Sequence, residues 1–297
     1  MPGTLQTEAG QTASGSHLAA NALTWLFVPG DRPERYAKAV ASGADAVIID
    51  LEDAVDAAAK AKARNMVEGF LDEGTAGVFV RINDESTEYF ADDVAMLERA
   101  ASCEGHGLLG VLLPKAETRG GIESVRARLA DGIGLVAIIE SAAGVHNAHQ
   151  LAATPGLDRL AFGALDYALD LGLGPEPRAL DHARSVLVLA SKVAGLPAPL
   201  DAPSLAIKDA EQLRLDAVLS RNFGFGGKLC IHPGQLAQVL AAFSPSEDEL
   251  AWARRVVDVA AEGAAQIDGR MIDRPVIEQA RQMLARAEQL TTSKDRK

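Results

Sequence analysis

Ala46-Val47-Ile48-Ile49-Asp50-Leu51-Glu52-Asp53 is the stretch whose reading decides the fold. A continuous β-branched apolar run suits a strand covered on both faces, as in a parallel sheet. It stops abruptly in carboxylates. Seven further segments read as strands: Thr24–Gly30, Gly77–Asn83, Leu108–Lys115, Gly134–Ser141, Arg159–Asp166, Pro199–Leu205 and Gly227–Pro233. Between them lie segments of helical period: Pro33–Ser42, Ala54–Glu73, Tyr89–Glu104, Gly121–Ala130, His146–Thr154, Leu180–Gly195 and Ile207–Asn222. Eight strand-then-helix units predict an α/β fold of the (β/α)8 (TIM) barrel type. An open doubly wound sheet predicts Gly-x-Gly-x-x-Gly after the first strand, and Val28-Pro29-Gly30-Asp31-Arg32 is not that motif.

Residues 1–20 read as a mobile tail, as do Thr291–Lys297, and the barrel is expected over 21–245 with Leu236–Phe243 as its last helix. Residues 246–297 are expected to form a helical extension that packs on a neighbouring subunit, with a turn around Asp268-Gly269-Arg270. A hydrophobic content of 48% across 297 residues supports a sizeable core, and aromatics at only 4% leave it to Ala, Val, Ile and Leu. The formal charge of −12 argues against nucleic-acid or anionic-membrane partners, which call for a basic surface. Two cysteines, Cys103 and Cys230, make no disulfide framework, and no signal peptide or membrane span is evident, so a cytoplasmic location is expected.

In a (β/α)8 barrel the reacting groups sit at the C-terminal strand ends. Here those ends are Asp50, Glu52 and Asp53, then Arg81-Ile82-Asn83, Lys115, Glu140-Ser141, Asp166 and His232. Glu140 and Asp166 end successive strands, which lie roughly 4.8 Å apart. Two like charges there call for a cation between them or a raised pKa on one. Oxygen-only donors favour Mg²⁺; the alternative is two solvated acids, or pairing with Arg81. Arg81 suits a substrate carboxylate or carbonyl, or a structural ion pair with Asp50 or Glu52. Gly224–Lys228 precedes the last strand and reads as a tight turn; His146 and His149 read as surface residues, and Cys230 as core.

Taken in order, Leu26-Phe27-Val28-Pro29-Gly30, Asp50-Leu51-Glu52-Asp53-Ala54-Val55, Val80-Arg81-Ile82-Asn83, Leu113-Pro114-Lys115, Ile139-Glu140-Ser141, Gly163-Ala164-Leu165-Asp166-Tyr167, Gly227–Pro233 and Gly269–Pro275 form a pattern. It resembles the citrate lyase β-subunit-like family, grouped with malyl-CoA and citramalyl-CoA lyases in the HpcH/HpaI aldolase superfamily. The resemblance implies carbon–carbon cleavage or formation of a 3-hydroxyacyl thioester, with one Mg²⁺ on Glu140 and Asp166 and a CoA thioester as substrate. It implies Arg81 on the keto-acid part and Asp273, delivered from a neighbouring subunit of a homotrimer or hexamer, facing the reacting carbon. Glu52 is expected among the catalytic groups, Asp50, Lys115 and Glu140 among the substrate contacts, and Pro29 and Gly30 at the cofactor. An aldolase on free hydroxy-keto acids, a malyl-CoA thioesterase, and a β-subunit working with an acyl-carrier partner are the alternatives. The family often carries Arg near the start of strand one, where this chain has Leu23-Thr24, a departure expected to bear on carrier contacts.

Overall fold

Eight parallel strands pair in sequence order, and β1 pairs again with β8, so the sheet closes. The structure, a computed structural model, describes residues 14–261, 266–267 and 270–294. Its strands are β1 (Thr24–Pro29), β2 (Ala46–Asp50), β3 (Val78–Arg81), β4 (Leu108–Leu113), β5 (Gly134–Ile139), β6 (Arg159–Phe162), β7 (Leu200–Asp201) and β8 (Gly227–Cys230). The principal helices are α1 (Gly15–Asn21), α2 (Tyr36–Val40), α3 (Lys60–Glu73), α4 (Phe90–Ser102), α5 (Arg119–Arg126), α6 (Ala142–Ala152), α7 (Ala164–Asp170), α8 (Asp181–Ala194) and α9 (Ala210–Phe223). The chain is therefore a (β/α)8 barrel, as the alternation of runs predicts.

Alternate residues point into the barrel, where Trp25, Ile48, Phe79, Leu112, Val136, Ile138, Ala161, Leu200 and Leu229 fill it. The Trp25 and Phe79 rings meet at 4.6 Å between centroids. That inner row continues upward from Ile48 to Asp50, from Phe79 to Arg81 and from Ile138 to Glu140, because side chains two apart share a face. Packing in the interior thus aims these polar side chains at the rim.

Two expectations about these elements are corrected. Residues 15–20, expected in a mobile tail, belong to α1, and its Ala19 joins the barrel core. Gly15 permits this approach, since a side chain there would collide with the Leu109 carbonyl. Arg159, 1% exposed, donates to the carbonyls of Ala19 and Ala22 at 3.2 and 2.7 Å and so holds the end of α1. Residues 1–13 lie outside the described residues. Second, Asp166 does not end β6; the strand stops at Phe162 and Asp166 lies in the first turn of α7. Leu23 and Thr24 sit at the start of β1, as the sequence places them, and their N–H groups bond Asp45 at 3.1 and 3.0 Å.

The chain divides into two units at Leu236/Ala237. The second contains most of α10 (Leu236–Phe243), expected as the barrel's last helix, with α11 (Glu247–Ala261), β9 (Gln266–Ile267), β10 (Arg270–Met271) and α12 (Arg274–Lys294). Ser246 and Glu249 form a reciprocal capping pair at the start of α11. Ala253, Val256, Ile272 and Ala280 are its buried core. β9 and β10 pair antiparallel on either side of the expected turn, whose Asp268 and Gly269 lie outside the described residues. The expected terminal tail is helical through Lys294, and 295–297 are outside the described residues. Among the described residues no helix is long and apolar enough to cross a membrane.

Candidate active site

Strand register builds one half of the site. Pro29 stands beside Asp50, and Asp50 beside Arg81. Asp50, 1% exposed, receives Arg81 Nε at 2.7 Å and Nη2 at 2.5 Å, a bidentate pair. Arg81 Nη1 reaches Glu52 at 2.9 Å and Asp53 at 3.2 Å, and its guanidinium lies 4.9 Å from the Phe27 ring centroid. Burial works against the Arg81 charge, but Asp50 first, then Glu52 and Asp53, outweigh it and raise its pKa. The structural pairing considered for Arg81 is therefore present. Each guanidinium nitrogen thus already meets a carboxylate, and of these partners only Asp53 is exposed.

Lys115 connects this half to the other. Its backbone is left-handed, φ 46°, alone among the described non-glycine residues. From that turn its N–H donates to Glu140 Oε1 at 2.8 Å, and its ammonium reaches Glu52 Oε1 at 2.5 Å. Burial opposes the Lys115 charge, but the Glu52 hydrogen bond and the surrounding acids prevail, so its pKa is raised. Glu52 is itself buried, and desolvation raises its carboxyl despite Arg81 and Lys115.

Glu140 is 3% exposed, and its carboxyl is pushed up to about 8, first by burial and then by the charge of Glu52, with Asp166 adding to it. The Lys115 N–H and Arg81 offset only part of this. Gly163 gives the carboxylate its space, since any side chain there would collide with Glu140 Oε2. Asp166, on α7, is close enough to act on Glu140 by charge and is half-buried. Among the described residues no three His, Cys, Asp or Glu side chains are disposed to hold a metal, so this acid corner is a pair.

Other expected residues have structural tasks. The Gly30 N–H bonds the Asp50 carbonyl at 2.8 Å and its carbonyl accepts from the buried Tyr36 hydroxyl at 2.5 Å, so its backbone is already committed. His232 caps a short turn through Nδ1 to the Gly234 N–H. His146 and His149 line a surface groove of about 370 Å³ with Tyr167 and His182. Asp273, in the second unit, is exposed and caps α12 through the Val276 N–H at 3.2 Å. Unforeseen from the sequence were Asp84, whose carboxylate lies 3.9 Å from Lys115 Nζ, and the buried Asn83–Asp93 pair behind β3.

A closed parallel barrel with an acid-rich C-terminal rim around one guanidinium has the layout of a barrel enzyme. The chain belongs to the HpcH/HpaI aldolase/citrate lyase family, whose profile matches residues 23–233. It is 38% identical to a citrate lyase subunit beta-like protein of Deinococcus radiodurans, across 88% of this chain and 95% of that one. It is 34% identical to a (3S)-malyl-CoA thioesterase of Cereibacter sphaeroides, across 92% and 97%. A crystal structure of CitE from Mycobacterium tuberculosis with magnesium, acetoacetate and coenzyme A is similar at a TM-score of 0.79 and 35% identity, covering 91% of this chain and 99% of that one.

Proposed function

We propose that this protein is a Mg²⁺-dependent lyase that reversibly cleaves a 3-hydroxyacyl-CoA thioester into an acyl-CoA and a 2-oxo acid. The observation carrying this reading is the Glu140–Asp166 corner, where a buried carboxyl is pushed up to about 8 by burial and nearby acids, which Arg81 and the Lys115 N–H only partly offset. Oxygen donors and an excess of negative charge fit a hard divalent ion, with water and substrate as further ligands. The CitE structure with magnesium and coenzyme A supports the same reading. Bound there, Mg²⁺ supplies Lewis-acid polarisation of the substrate's hydroxyl and carboxylate oxygens.

The protein's own groups do the rest. Arg81, held rigid by Asp50, meets the charge that develops on the keto-acid oxygens, with substrate taking the place of exposed Asp53 at Nη1. Lys115 keeps Glu52 and Glu140 in fixed relation. Asp273, from a neighbouring subunit of a homotrimer, donates the proton to the acyl carbon, or removes it in the condensation direction. Pro29 borders the thioester carrier.

A metal-supplemented screen of malyl-, citramalyl- and citryl-CoA, with products identified by mass spectrometry, tests the reading. Acyl-CoA plus a 2-oxo acid is expected; no turnover with or without Mg²⁺ would refute it. The relatedness to a malyl-CoA thioesterase favours one second reading, hydrolysis, which yields free malate instead. Asp273→Asn keeps a competent helix cap, so folding and Mg²⁺ binding should persist while exchange of the acyl protons in D₂O stops.

A further inference from the structure

Lys60 and Arg64, one turn apart on α3, are each only 8% exposed and lie outside the rim constellation. Burying a cation is costly unless polar partners engage it, and both have such partners. Lys60 Nζ donates to the carbonyl oxygens of Leu51 at 2.7 Å and Glu52 at 2.6 Å, and lies 5.7 Å from the Tyr89 ring centroid. Arg64 Nε donates to Asp93 Oδ1 at 2.7 Å. The other oxygen of Asp93 takes the Asn83 backbone N–H at 2.9 Å and the Asn83 side-chain amide at 2.6 Å.

These two chains of contacts end at matching places. One ends on the backbone that carries Glu52; the other ends two residues beyond Arg81. Both grip the strand ends from the helix side, away from the face that Arg81, Lys115 and Glu140 share. We propose that Lys60 and Arg64 are positioning residues, which make α3 the brace that fixes Glu52 and Arg81 from behind. Lys60 holds the segment after β2 so that the Glu52 carboxylate meets Lys115 and Arg81. Arg64, relayed by Asp93, holds Asn83 and hence the strand end that aims Arg81 at Asp50. The inference rests on the reading of this rim as the reacting site.

Hydrogen exchange, Mg²⁺ calorimetry and steady-state turnover on the full-length protein test it with Lys60→Met and Arg64→Met. The amides to follow are hydrogen-bonded in the structure: Leu51 to the Arg81 carbonyl, Glu52 and Ala54 to the Asp50 carboxylate, and Val55 to the Glu52 carbonyl. Lys60→Met should speed exchange of residues 51–55 about 10-fold or more and leave β4 and β5 unchanged. It should lower kcat on the order of 10²-fold by misplacement, while Mg²⁺ affinity stays within about twofold because Glu140 and Asp166 are untouched. Arg64→Met should open residues 82–84 instead. Unchanged exchange at 51–55, or an even rise through the whole barrel, would overturn the brace. Should Lys60→Met not fold, Lys60→Gln is read by the same local-against-even criterion. Local opening with no thioester turnover in the wild-type protein would support the brace and refute the reaction proposed above. Wild-type turnover with kcat untouched in both variants would refute the brace alone.

Discussion

Two groups of buried charges in the barrel are made of the same residue types and have opposite electrostatic balance. Beneath α8 and α9, Asp201 of β7 meets Lys228 of β8 at 3.4 Å, Arg184 at 3.5 Å and the Ser220 hydroxyl at 2.5 Å. Burial alone would raise the Asp201 carboxyl, but two cations and a hydroxyl outweigh it and the pKa is lowered. At the rim, Glu140 has burial and neighbouring acids acting together, and its carboxyl is pushed up to about 8. The first group is neutralised from within and explains itself as structure. The second has Arg81 and Lys115 but more acids than they balance, which marks it as a place where a ligand completes the balance.

Exchanging one side chain in each group should separate their roles. Asp166→Ala is expected to cost roughly 10³-fold in kcat/KM and to abolish Mg²⁺ dependence with little change in Tm, as steady-state kinetics with and without the ion would show. Asp201→Asn should do the reverse. Leaving Lys228 and Arg184 without their carboxylate is expected to cost about 3–5 kcal/mol by denaturant unfolding, with the kcat of the folded protein unchanged. Arg81→Lys sharpens the contrast within the rim, because a point-charge ammonium cannot replace the fork on Asp50. A fall of about 10²-fold in kcat/KM is expected, with Mg²⁺ affinity retained.

The smallest effect is the pH dependence of stability. Folded Glu140 keeps its proton up to about 8, whereas the unfolded group releases it near 4.5, so the folded state binds more protons in that window. Stability of the metal-free protein should therefore decline as pH rises from 4.5 to 8. Asp201 works the other way: with its pKa lowered on folding, its contribution is present above the unfolded value and lost as pH falls through the folded one. Thermal melts at several pH values should show the upper decline removed by Mg²⁺ and the acid decline unaffected by it.

The barrel was legible because its strands are apolar on both faces, so Ala46–Ile49 and Val136–Ile139 need no alternation to be recognised. Strand ends were less so. The expected strands run past the last ladder pair into polar rim residues, and β7 is only two residues long. α7 was hidden because Gly163-Ala164-Leu165 continues the apolar run of β6, so that Asp166 reads as a strand end. α1 was hidden by its small and polar composition, since Ala19 is buried by tertiary contact, not by periodicity. At the site, the acids and Arg81 were visible from their places after apolar runs. The left-handed turn of Lys115 and the inward Lys60 and Arg64 were not, because a buried cation on a helix looks like solvated charge until its partners are known.

Calorimetric titration of Mg²⁺ into the wild-type protein, Glu140→Gln, Asp166→Ala and Asp201→Asn at one pH tests the charge contrast most directly. One ion per chain is expected in the wild type and in Asp201→Asn, with binding lost in both rim variants. Equal Mg²⁺ affinity in all four proteins would contradict the assignment of Glu140 and Asp166 as its ligands.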